Sequence, residues 1–158
     1  MAGVQLISLS LLNAVSEAAK ASPRQRKNYN FHLDDQDICH RLLNALEPDT
    51  YIPPHRHLHP TKAESIVILR GRVGVLFFDT DGRPTQHCTL QPGSEILGVD
   101  ISPGVYHSLV ALVAGSVFFE AKAGPYVPVS ADERAAWAPA ENTAEAGAYL
   151  AWMKQQFV

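Results

Sequence analysis

The chain has 158 residues, of which 46% are hydrophobic and 18% charged, and its formal charge is −3. That balance describes one globular domain with a substantial core and excludes a disordered or polyionic chain. The basic stretch "PRQRK" at 23–27 is too short to point to nucleic acid and reads as a solvated bend, and no apolar run reaches the roughly 18–20 residues that span a bilayer.

The start "MAGVQLISLSLLNAV" lacks the basic region of an export signal. Leu11, Leu12, Val15, Ala18 and Ala19 then share one helical stripe. A helix is predicted from about Leu9 to Ala21, capped by Ser8 or Ser10 and ended by Ser22-Pro23. Short strands follow, in "RLLNALE" (41–47), "YIPPHRH" (51–57), "ESIVILRG" (64–71) and "VGVLFFD" (73–79). Asp81-Gly82 marks a hairpin into "TQHCTL" (85–90). "SEILGVDI" (94–101), "YHSLVALV" (106–113) and "SVFFEAK" (116–122) complete the series, separated by Pro-Gly and Ala-Gly turns. Strands at this spacing with no helix between them predict an antiparallel sandwich or barrel. "SADERAAWAPAE" offers a capping box from Ser130 to Glu133, and "TAEAGAYLAWMKQQF" (143–157) reads as a closing helix. Cys39 and Cys88 lie far apart with no CxxC pattern. Free, buried thiols in a reducing cytoplasm are the expectation.

The chemistry concentrates in "PPHRHLHP" (53–60). On an extended chain His55, His57 and His59 point to one face, and the flanking prolines oppose a helix. Glu64 opens the next strand, and His107 follows the turn in "SPGVYH". Histidine nitrogens with one carboxylate suit zinc, iron, manganese, nickel or copper, and a partly filled shell leaves room for water or substrate. Alternation alone leaves all three histidines as ligand candidates. Arg56 falls on the opposite face, with a packing or ion-pair role. Lys62 shares the parity of Glu64 and is a candidate contact for an anionic substrate, against the ordinary reading of a solvated lysine. Glu120 and Lys122 share the parity of Phe118; an inward Glu120 is either a general base or half of an internal ion pair. Tyr126 covers the pocket or staples the barrel. His40 and His87 have no supporting pattern and are expected at the surface, and Trp137 and Trp152 are expected to dock the C-terminal segment.

His-x-His, then Glu64-x6-Gly71, then a Pro-Gly turn before a lone histidine resembles the paired motifs of cupins, small metal-binding β-barrels. Ser102 and Ala111 depart from the second motif, where proline and asparagine are usual. The cupin spacing of four residues before the glutamate favours His57 and His59. "YIPPHRH", "FFDTDG", "VFFEAKAGPYVP" and "WAPAE" resemble the WbuC family of cupin-fold metalloproteins over nearly the whole chain, together with "NYNFH" (28–32) and "RLLNALEP" (41–48). In that family the histidine pair directly follows proline. The resemblance therefore implies His55, His57, Glu64 and His107 as metal ligands, with His59 as the substitute. It also picks out Asn28, Asn30 and His32 as polar contacts at the mouth.

The resemblance further implies one double-stranded β-helix (jelly-roll) domain over 1–158, with a helical segment at 1–28, the barrel at 29–128 and a helical tail at 129–158. The expected function is a cytoplasmic, homodimeric metal-binding cupin acting on a small molecule of surface-polysaccharide (O-antigen) or sugar-nucleotide metabolism, by isomerisation or epimerisation, with no nucleic-acid or membrane partner. Glu120 or a metal-bound water would move the proton and Lys62 and Tyr126 would contact substrate. A non-haem iron dioxygenase and a non-catalytic sugar- or metal-binding module are the alternatives.

Overall fold

The computed structural model describes residues 3–158. Helix α1 runs Leu9–Lys20, with the Ser8 hydroxyl accepting the Leu11 N–H at 3.3 Å as its N-cap. Eight strands follow: β1 (Arg26–Asn30), β2 (Cys39–Leu46), β3 (Glu64–Arg70), β4 (Val73–Phe78), β5 (Pro84–Leu90), β6 (Gly98–Ile101), β7 (Tyr106–Ala111) and β8 (Ser116–Ala123). Helix α2, Ala146–Gln155, closes the chain. No helix among the described residues is long and apolar enough to cross a membrane.

The strands form two antiparallel sheets, β1-β2-β8-β3-β6 and β5-β4-β7. Ile66, Ile68, Val73, Val75, Leu90, Ile101, Leu109 and Phe118 meet between them as the central core. Leu12, Val15 and Ala19 of α1 pack on the outward residues Leu43, Ala45 and Val117 of the larger sheet. Leu150 and Met153 of α2 pack on Leu76, Phe78 and Val110 of the smaller one. Each sheet is therefore covered on both faces, which is why β4 reads as a continuous apolar run rather than an alternation. Trp137 and Trp152 join the α2 cluster, in the docking role expected of them.

Three sequence expectations give way here. "YIPPHRH" is no regular strand, because Pro53 and Pro54 have no N–H for a ladder; only His55 pairs, bridging His107 on one side and Arg134 on the other. "SEILGVDI" shortens to β6, since the Ser94 hydroxyl donates to the carbonyls of Gln91 and Ile96 and ties that stretch into a turn. The capping box at Ser130 starts no helix. Its Glu133 carboxylate does accept the Ser130 N–H, at 2.9 Å, but it also accepts the Leu58 N–H at 2.9 Å, so it ties a turn to the histidine segment instead. Strand β1, mostly exposed, carries no apolar alternation that would announce it.

Candidate metal centre

The site is assembled where the two sheets meet. His55 and His107 exchange backbone hydrogen bonds of 3.1 and 2.9 Å, so the histidine segment extends the smaller sheet beyond β7. The carbonyl of His57 accepts the Gly104 N–H at 2.7 Å, holding the segment to the Pro-Gly turn before β7. Glu64 faces them as the first residue of β3. His55, His57, Glu64 and His107 each offer one ligand atom, and these atoms lie within 4.8 Å of one another. Glu64 Oε1 lies 3.0 Å from His57 Nε2, and Oε2 lies 3.1 Å from His107 Nε2.

The second ring nitrogens define the tautomers. His55 Nδ1–H donates to the Pro53 carbonyl at 3.0 Å, and His107 Nδ1–H donates to the Val105 carbonyl at 2.9 Å. A carbonyl can only accept, so Nδ1 carries the hydrogen and a neutral ring has its lone pair on Nε2. In His107 Nε2 faces a carboxylate oxygen at 3.1 Å; a neutral ring there sets acceptor against acceptor, an arrangement that a cation between them resolves. Burial, and then the neighbouring His107, push His55 down to about 4, so it is neutral near pH 7. Burial works against the Glu64 carboxylate, but its close contacts with the His107 and His57 rings and the charge of Lys122 hold it well below the usual range. Three imidazoles and a buried carboxylate form a donor set that fits a divalent transition metal.

Lys122, the third residue touching Glu64, was expected from the sequence only as a parity neighbour and candidate ion-pair partner of Glu120. It lies opposite Glu64 on the neighbouring strand, with Nζ 2.9 Å from Glu64 Oε1 and 2.6 Å from Glu120 Oε1. Glu120 in turn accepts from Asn44 Nδ2 at 2.7 Å. Burial lowers the Lys122 pKa, but the two carboxylates outweigh it and raise it above the ordinary lysine value. Glu120 thus reaches the cluster only through Lys122, the ion-pair arrangement rather than that of a free base. One strand further, His40 is buried and stacks on His32, with ring centroids 4.1 Å apart. The surface expectation for His40 is therefore corrected: it has the inward parity of Leu42 and Leu46 on β2. His87 is exposed, against Phe157.

His59 stands apart. The chain turns after Leu58, with the Lys62 N–H donating to the His59 carbonyl, and the exposed His59 ring engages the Thr61 hydroxyl at 2.9 Å. Lys62 Nζ donates to the carbonyls of Ala123 and Pro125, so it fastens the loop after β8. The Arg56 guanidinium sits 4.4 Å over the Tyr106 ring, a packing role. Exposed Tyr126 and the metal-cluster residue His55 both line a cavity of about 680 Å³. Arg24 and Arg26, from the stretch read as a solvated bend, line it too and are both bonded to Glu141. Their only sequence signal was alternation within a basic run, since Glu141 lies over a hundred positions away. The thiol of Cys39 is exposed rather than buried, and that of Cys88 is partly buried.

A family model described as a domain of unknown function (DUF6016) matches residues 7–90, slightly more than half of the chain. No curated protein matches. Among solved structures, a cupin superfamily protein from Desulfitobacterium hafniense DCB-2 is similar at a TM-score of 0.54 and 13% identity, covering 76% of this chain and 93% of that one. A conserved protein of unknown function from Streptococcus pyogenes is similar at 0.52 and 12%, covering 80% and 93%. KdgF from a Halomonas species is similar at 0.50 and 14%, covering 67% and 84%. At such identities the likeness is one of fold, and the fold is cupin-like.

Proposed function

The chain belongs to the DUF6016 family, a domain of unknown function, and from that premise we propose that it is a metal-binding cupin acting on a small molecule. The reading rests on one observation: His107 Nε2 and a buried Glu64 oxygen face each other at 3.1 Å, with His55 and His57 completing the set. A divalent metal would be held by His55, His57, Glu64 and His107, and when bound it would supply a Lewis acid for a carbonyl or hydroxyl. Lys122 and Glu120 hold Glu64 in place, and the apolar core beneath excludes water.

Within that reading, the jelly roll closes as a double-stranded β-helix, and the resemblance to WbuC proteins makes the substrate a sugar or sugar nucleotide of surface-polysaccharide metabolism. Isomerisation or epimerisation is the reaction that a Lewis acid beside proton-carrying side chains serves best. A cytoplasmic homodimer is proposed with it, a second copy covering an open sheet edge such as β5 or β6; light scattering tests the assembly.

Elemental analysis of the purified protein tests the centre. About one divalent ion per chain is expected, kept by His59→Ala and lost from His55→Ala and His57→Ala. Full retention in both of the latter variants would overturn the ligand set. Exchange of sugar epimers followed by NMR tests the reaction, and oxygen consumption by iron-loaded protein would move it to the dioxygenase class.

A further inference from the structure

The cavity beside the metal centre has a chemistry of its own. Strand β1 edges the larger sheet, while His55 and then Arg134 extend the smaller one beyond β7. The cavity of about 680 Å³ is lined by Arg26 from the first edge and by His55 and Arg134 from the second. It is therefore the cleft between the two sheet edges. Its volume suits a molecule of sugar size, and its wall at His55 belongs to the metal-ligand set.

The lining carries three guanidinium groups, Arg24, Arg26 and Arg134, against one carboxylate, Glu141. Arg24 grips Glu141 through Nε at 2.8 Å and Nη2 at 2.7 Å, and Arg26 adds Nη2 at 3.0 Å. A two-point grip by Arg24 alone would fasten the 126–141 segment. Arg26, whose Nη1 also donates to the Tyr51 carbonyl at 3.0 Å, brings a second cation to the same carboxylate, and the Arg134 guanidinium has no ionic partner among the described residues. The rest of the wall is largely proline, alanine and isoleucine, which leaves the excess positive charge unanswered.

We propose that this cleft binds a small anion bearing a carboxylate or phosphate group, received by Arg26 and Arg134 and set against His55. Glu141 occupies the arginines as a ligand carboxylate would, in the fork geometry that guanidinium groups favour. The proposal deepens the metal-cupin reading, because it states the charge of the molecule that reading leaves open.

Calorimetric titration of the purified protein with glucuronate, glucose 6-phosphate and glucose tests it. At least one charged sugar should bind about tenfold more tightly than glucose, and the one that does separates carboxylate from phosphate. Arg134→Gln, an exposed position, should remove most of that preference. Glu141→Gln should strengthen binding severalfold by freeing Arg24 and Arg26, a gain that misfolding cannot mimic. Equal binding of all three sugars, or a Glu141→Gln variant that binds the charged sugars no better, overturns the proposal. Metal content measured on the same samples keeps the two readings apart. Charged-sugar preference without metal supports the anion cleft and removes only the metal reading; full metal with no preference removes only the cleft.

Discussion

Replacing Lys122 by methionine leaves two buried carboxylates facing each other without their shared cation. Nζ lies 2.9 Å from Glu64 and 2.6 Å from Glu120. At an effective dielectric constant of about 20, each contact is worth roughly 6 kcal/mol of Coulomb energy, offset by several kcal/mol of desolvation per ion. Removing one partner of such a buried group costs about 3–5 kcal/mol. The lysine side chain is 23% exposed, which places the expected loss at the lower end, about 3 kcal/mol. Urea unfolding in the presence of a chelator measures it, as a midpoint lowered by about 1–3 M at the usual slope for a small domain. Adding Glu120→Gln to Lys122→Met should recover part of the loss, because one uncompensated charge disappears. Zinc should stabilise Lys122→Met more than the parent, since a divalent ion restores positive charge beside Glu64. A loss below about 1 kcal/mol, or a double variant weaker than the single, would refute the view that Lys122 bridges the two carboxylates as a buried cation.

Acid should weaken the metal-free fold in two stages. His55, held near 4 in the folded chain against an ordinary 6.5, lets the unfolded chain bind the proton first. Stability is then full above about 6.5 and falls as pH drops toward 4; His55→Asn should flatten that part of a urea-midpoint profile. Glu141, held by Arg24 at about 2 against an ordinary 4.5, adds a further decline below about 4.5 that Glu141→Gln should remove. Leu76 is fully buried beneath α2, so Leu76→Ala should cost about 2–5 kcal/mol in the same assay. Gly71 has φ +82° and a side-chain carbon there would lie 2.7 Å from Ser116 Cα; Gly71→Ala should cost about 1–3 kcal/mol, and wild-type stability would show that the turn relaxes.

Much of the fold was legible because its signals are local. Apolar alternation, Asp81-Gly82 and the Pro-Gly turns marked most of the strands, and Ser8 with the Leu12, Val15 and Ala19 stripe marked α1. Strand β1 escaped because an exposed edge strand needs no apolar pattern, its pairing to β2 being made by backbone groups alone. Helix-like composition at Ser130 misled because Glu133 spends its carboxylate on Leu58 as well as on its own turn.

The candidate site divides along the same line. The chain itself determined the residue types, their order and the inward parity of Glu64, Glu120 and Lys122, since a strand's alternation is set by its own backbone. Alternation alone left His55, His57 and His59 equal, and the resemblance chose the first two; the physical reason lies in the backbone bridge to His107 and the turn after Leu58, made by residues distant along the chain or outside any strand. The pairing of Arg24 and Arg26 with Glu141, and the cleft they line beside His55, likewise exist only once the two sheet edges meet. Local periodicity orients a side chain within its own strand; which strand edge it then meets is decided by tertiary closure.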